Sequence, residues 1–204
     1  VLTAIDATGK VCVASSTPAH IYVDVKGYST AGFRATSLQR VVDTRADSAQ
    51  GLRTVNKVKL AAKQVLPVKM TDLTVAGVPA TGVGAVALSI ASLESSSNGY
   101  ITAYSCAKRP KVWNLSFSQN VPASTMAVVP VKSSTGEVCI YSSAETDVLV
   151  DVMGWFAPAD FGIMQPQRVV DTRTAQPQCL VSVSKAMIGM DKKLKINLTK
   201  LSAL

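Results

Sequence analysis

At 204 residues the chain is long for one domain and short for two, and with 48% hydrophobic and 17% charged residues it is too apolar to stay disordered. Its net charge of +8 would suit nucleic acid, anionic wall polymers or phospholipid, but the basic residues are dispersed. The nearest thing to a cluster is Lys108–Lys111, so the charge is read as a solvated surface, and apolar runs such as Val148–Val150 are too short for a membrane span.

In chain order, the opening VLTAIDATGK has no basic region followed by an apolar stretch, so it reads as a mature or internal start without a signal peptide. Residues 9–28, GKVCVASSTPAHIYVDVKGY, carry two short alternating runs around a polar turn and predict two strands. RVVDTR follows at Arg40–Arg45. Next come a run from Lys57, then AVALSIA with Val86, Leu88 and Ile90 on one face, and VWNLSFS with Trp113, Leu115 and Phe117 on one face. In VLVDV, Val148, Val150 and Val152 alternate with Leu149 and Asp151. Turn residues punctuate these runs at ESSSNG, KRP, SQNVP, SSTG and SSAET. About eight strands at spacings near ten residues, with no amphipathic helix, predict an all-β antiparallel β-sandwich, jelly-roll or Ig-like.

The hexapeptide RVVDTR recurs at Arg168–Arg173, 128 positions after Arg40–Arg45. Gly9–Tyr28 matches Gly136–Trp155 at an offset of 127, and the sequence from Leu52 matches that from Leu180 at 128. Residues 77–127 occur once, so the chain reads as about 1.6 copies of a ~128-residue repeat. Residues 1–30 are expected to hold the C-terminal strands of a partial repeat, residues 40–157 a complete sandwich, and residues 161–204 the N-terminal strands of a further partial repeat. Neither terminal piece can close a sandwich alone, so each is expected to be completed by strands from outside the chain.

In DTR, Asp and Thr side chains can fix a turn and a planar Arg can pair with the carboxylate. Asp43 with Arg45, and Asp171 with Arg173, are therefore read as structural ion pairs in preference to ligands for calcium or an acidic substrate. Asp24 and Asp151 are read as partners of a turn or an Arg rather than as catalytic acids.

The ordered string RVVDTR, LTVAGVPATGVGAVALSIAS, GYITAYSCAKRPKVWNLSFSQN, STMAVVPV and GEVCIYSSAETDVLVDVMGWFAP resembles a tandem module of actinobacterial secreted and cell-surface proteins. That pattern runs DTR, VPxxAxAVxLNVT, GYLTVYPCG, SNLNF, VxVCVYSS and DVxGYF, and the resemblance covers essentially the whole chain. Departures are Trp155 where the family has Tyr, and Trp113-Asn-Leu-Ser-Phe117 where it has Ser-Asn-Leu-Asn-Phe. The resemblance implies an accessory repeat beside wall-hydrolase or peptidase domains. It also implies that Cys106 and Cys139, which occupy the two family positions, are disulfide-bonded in an oxidising compartment, closing a loop worth roughly 3 to 4 kcal/mol. Cys12 is the counterpart of Cys139, with its own partner expected upstream of Val1, and Cys179 stands where the first copy has Gly51. A Cys12–Cys179 pair is suggested only by both lying in incomplete copies.

Four cysteines without a C-x-x-C pair, and a single His, do not make a zinc site. The one His, His20, has Asp147 as its counterpart, so the complete copy lacks a histidine base, and no phosphate loop or dinucleotide signature occurs. No enzyme activity, cofactor or metal is expected. Of eleven aromatics, Trp113 and Trp155 are the residues that could contact a glycan, although core burial is the preferred reading for both. The function expected is a non-catalytic extracellular structural or adhesive repeat of a bacterial surface protein. A carbohydrate-binding module for cell-wall glycan and a filament or particle subunit completed by strand exchange are the alternatives. The partners expected are other copies of the repeat, neighbouring chains or cell-wall polysaccharide, with no nucleic acid and no membrane insertion.

Overall fold

The computed structural model describes residues 31–162 and 168–197 throughout, and residues 2, 7–15, 17, 18, 20, 21, 23–25 and 29. The chain separates into two units, residues 1–109 with 113–163 and residues 110–112 with 164–204.

The first unit contains eight strands: β1 (Phe33–Asp43), β2 (Val65–Lys69), β3 (Ala85–Leu93), β4 (Gly99–Tyr104), β5 (Leu115–Phe117), β6 (Ala123–Pro130), β7 (Glu137–Ser142) and β8 (Asp147–Phe156). They form two four-stranded sheets, ordered β1-β8-β3-β6 and β2-β7-β4-β5. Every pairing is antiparallel. This interleaved order, with every consecutive pair except β4–β5 crossing between sheets, is that of a jelly roll rather than an Ig-like sandwich.

Alternation explains the core. Val86, Leu88 and Ile90 of β3, Val148, Val150 and Val152 of β8, and Val138 and Ile140 of β7 are all fully buried. Ile101, Leu115 and Phe117 close the second sheet's inner face, and all of these side chains belong to one hydrophobic cluster. The β3 side chains that alternate with the core include Ala85, Ala87, Ser89 and Ala91, small enough for the middle of a sheet flanked on both sides.

The unit starts earlier than Arg40. β1 begins at Phe33, which pairs with Phe156 at the far end of β8 and packs ring to ring with it at 5.2 Å. The opening FRATSL has no clean alternation, and its strand geometry comes from the β8 ladder beside it. The strands expected in residues 1–30 and 161–204 are not formed among the described residues, which lie in turns and irregular chain there. A strand is defined by its ladder partner, and their sequence counterparts in the first unit each have one. Residues 163–167 and 198–204 of the expected C-terminal piece lie outside the described residues. No helix among the described residues is long and apolar enough to cross a membrane.

Candidate functional site

The DTR corner sits where β1 ends beside the start of β8. Asp43 is buried and accepts hydrogen bonds from Arg45 Nε (3.1 Å) and Nη2 (2.7 Å), from the Arg45 backbone N–H (3.1 Å) and from Arg40 Nη1 (2.9 Å). The Arg45 guanidinium holds the Asp43 carboxyl well below its ordinary range, against the opposing effect of burial, and the same pairing raises Arg45. Arg40 also donates from Nε and Nη2 to Asp151. The two carboxylates are thus brought together by a shared guanidinium and are not a free acid–base pair. Thr44 completes the corner: its hydroxyl donates to Asp147 Oδ1 and accepts from the Val148 N–H, both at 2.9 Å. Lys57 Nζ donates to the Asp43 carbonyl (2.7 Å), the Ser48 hydroxyl (3.0 Å) and the Ala49 carbonyl (2.8 Å).

The corner is built twice. In the second unit Asp171 accepts from Arg173 Nε (3.0 Å), Nη2 (2.6 Å) and backbone N–H (3.0 Å), and from Arg168 Nη1 (3.2 Å). Arg173 lowers the Asp171 carboxyl in the same direction. Lys185 Nζ donates to the Asp171 and Pro177 carbonyls, as Lys57 does to Asp43 and Ala49. Gln178 and Val183 exchange the two hydrogen bonds that Gln50 and Val55 exchange. One local difference has a steric cause. A Cβ at Gly51 would lie 2.5 Å from the Val41 carbonyl oxygen, and Cys179 carries that Cβ. The Leu180 N–H to Arg168 carbonyl bond is correspondingly 3.5 Å, against 2.9 Å for Leu52 to Arg40.

Beside the first corner a cleft of about 350 Å³ is lined by Arg45, Ser48, Lys57, Lys59, Glu94 and Asp147, among others. Most of its charges are engaged: Arg45 by Asp43, Lys57 as above, Asp147 by Thr44, and Lys59 by the Glu94 carbonyl at 2.8 Å and carboxylate at 3.6 Å, while Asp47 also lines it. Such a cleft offers neither a free base nor an unpaired cation from these groups.

The second cluster lies on the outer face of the β2-β7-β4-β5 sheet. Tyr100, Tyr104, Cys139 and Tyr141 share that face, because Thr102 pairs with Tyr141 and Tyr104 with Cys139. Cys106 and Cys139 are disulfide-bonded. Arg109 lies over the Tyr141 ring at 3.9 Å, and the Trp113 ring is 5.3 Å from Tyr100. Burial, and next Tyr100, push the Tyr141 hydroxyl up, with Arg109 opposing.

Trp113 is 43% exposed, which corrects the expectation of core burial. β5 is only three residues long, so the inward alternation of Leu115 and Phe117 does not reach back to Trp113. Asn114 instead anchors the preceding chain to β4: its backbone N–H donates to the Ile101 carbonyl and its side-chain oxygen accepts from the Ala103 N–H. Trp155 is half-buried against the core, donates from Nε1 to the Gly77 carbonyl at 3.2 Å, and carries Arg34 over its ring at 4.6 Å. The two tryptophans serve different sheets and form no common platform.

Cys12 and Cys179 are both free, which corrects the suggested bond between them. Their counterparts explain this: Cys139 sits on the outer face of one sheet, while Gly51 lies in a loop against the β1 backbone of the other. Of the interacting residues, Arg40, Lys57, Tyr100, Arg109 and Tyr141 were given no role from sequence. Lys57, Gln50 and Val55 left a signal, since all three recur 128 positions on.

No protein-family model, curated protein or solved structure matches the chain.

Proposed function

We propose that the chain belongs to an array of non-catalytic, ~128-residue repeats in an extracellular bacterial surface protein, akin to the tandem module it resembles, acting as a structural or adhesive building block. The observation that carries this reading is the DTR corner formed twice with the same donors and acceptors 128 positions apart. Repetition of a unit extends a chain and multiplies weak contacts. The Cys106–Cys139 bond supports an oxidising compartment, hence secretion. The DTR carboxylates, neutralised by their own arginines, suit a structural role. Fractionation of the producing cells with thiol alkylation before lysis tests this. The protein is expected at the surface with Cys106 and Cys139 protected, and recovery from the cytoplasm with both thiols reactive would overturn it.

The exposed Trp113, packed at a tilt against Tyr100, favours a second reading as a module for cell-wall glycan. In that case Trp113→Ala abolishes retention on purified wall polysaccharide while leaving the thermal midpoint within a few degrees. Unchanged retention removes this reading.

A further inference from the structure

The cleft beside the first DTR corner holds one acceptor that the fold leaves open. Asp147 is 4% exposed, and its Oδ1 accepts from Thr44. Its Oδ2 receives no hydrogen bond from the described residues. No buried side-chain oxygen among them lacks a partner, so Oδ2 opens to the cleft that Asp147 lines. A carboxylate so nearly enclosed by protein, with one oxygen left over, is a strong acceptor for a donor that a ligand brings.

Donors lie in the same lining. Arg45 gives Nε and Nη2 to Asp43, and its Nη1 has no acceptor among the described residues. Lys59 gives Nζ to the Glu94 carbonyl at 2.8 Å and retains further N–H groups. Lys57 has none to spare, because Asp43, Ser48 and Ala49 take all its protons. Val58, 65% exposed, supplies an apolar wall.

The charges of the lining cancel: Arg45, Lys57 and Lys59 stand against Asp47, Glu94 and Asp147. An anionic ligand would meet the carboxylates and an ammonium the cations, so neither gains from entering. A metal ion is disfavoured further, since no group of three acidic, His or Cys side chains among the described residues is spaced to hold one. A sugar fits all of these features. Each hydroxyl both donates and accepts, the ring carries no charge, and its C–H face is apolar.

We infer that this cleft is a binding site for an uncharged saccharide unit, with Asp147 Oδ2 accepting from a sugar hydroxyl and Arg45 Nη1 and Lys59 Nζ donating to others. Its volume of about 350 Å³ is at the small end of ligand clefts, which suits a saccharide unit better than a peptide. The second corner shows that the lining is not needed to fold the DTR motif. It keeps Arg173 and Lys185 but has Ala175, Gln176 and Met187 at the places of Asp47, Ser48 and Lys59. The site lies apart from Trp113, and the inference rests on neither reading above.

The test is a nuclear magnetic resonance titration of the full chain with cellobiose, lactose and chitobiose, and separately with inorganic phosphate and methylammonium. At least one disaccharide is expected to shift the Val58 methyl and Ser48 amide signals saturably, and the two ions are not. Asp147→Asn keeps the Oδ1 acceptor for Thr44 but turns a donor toward the cleft, and is expected to weaken binding by about tenfold or more. Should that variant fail to fold, Lys59→Met and Asp47→Ala decide, since the second corner carries those residues; Lys59→Met is expected to weaken binding by about threefold or more and Asp47→Ala by less. Four results would each overturn the site: no saturable shift with any disaccharide, shifts produced by an ion instead, unchanged affinity in the folded variants, or sugar-induced shifts confined to Trp113 and Tyr100. The last would place sugar binding on the other sheet, and none of the four bears on the surface-localisation experiment.

Discussion

Asp43 shows how one side chain can serve as the anchor of a corner without being a ligand site. It is buried, and its acceptor positions are taken by two arginines and a backbone N–H. Asp43→Asn removes the charge and leaves Arg45 without its partner, and is expected to cost about 1 to 3 kcal/mol, read as a lower thermal midpoint by circular dichroism. The pH dependence has a definite sign. The folded-state pKa of Asp43 lies below the ordinary value of 3.8, so its stabilisation is complete above that value and is lost as pH falls through the depressed pKa. Stability should be flat from pH 7 to about 5 on this account, fall below about 4, and fall less steeply in Asp43→Asn, as acid titration followed by tryptophan fluorescence would show. The Asp–Arg pairing was legible in the hexapeptide because both partners lie within it. Arg40 reaching Asp151, 111 positions away, was not, because that contact exists only once β1 lies against β8.

The strands show where alternation suffices and where it stops. β3 and β8 were visible from period two alone, since their inward residues are large and aliphatic. The first half of β1 was not, because its side chains are mixed and its place is held by the ladder to β8. Gly154 tests that dependence. A Cβ there would lie 2.4 Å from the Phe33 ring and 2.6 Å from the Arg34 carbonyl oxygen, so Gly154→Ala must push the start of β1 away from β8. An overpacking cost of about 1 to 3 kcal/mol is expected. Hydrogen exchange should show faster opening at Phe33–Ala35 and little change in β4 or β7. Trp113 is the converse case: the alternation of VWNLSFS points it inward, but the ladder ends at Leu115, and a side chain beyond the ladder is free of its period.

For the whole molecule, the disulfide joins positions 33 apart in sequence on the outer face of one sheet. Closing a loop of that length restricts the unfolded chain by roughly 3 to 4 kcal/mol, so Cys106→Ser with Cys139→Ser should lower the unfolding free energy by that order, read from urea titration as a lower midpoint, without loss of the far-ultraviolet β signature. Loss of the β signature in native buffer would mean that the bond is needed to form the sheets and does more than stabilise them. The order of the strands was not written in the pattern. Jelly-roll and Ig-like sandwiches share short alternating strands and turn spacing, and differ only in which distant strands become neighbours.

The contrast between the chain's own copies separates what sequence decides from what tertiary structure decides. The Asp–Arg–Lys part of the DTR corner spans about eighteen residues, takes its bonds from within that span, and forms in both units, without the Thr44 and Arg40 bonds to β8 that the first corner adds. The Val-Asp-Val runs at Val23–Val25 and Val150–Val152 are identical in sequence, yet the second is a core strand and the first is exposed irregular chain. A turn satisfies its hydrogen bonds from within. A strand takes them from residues far along the chain or from another molecule, and those decide whether an alternating run becomes a strand.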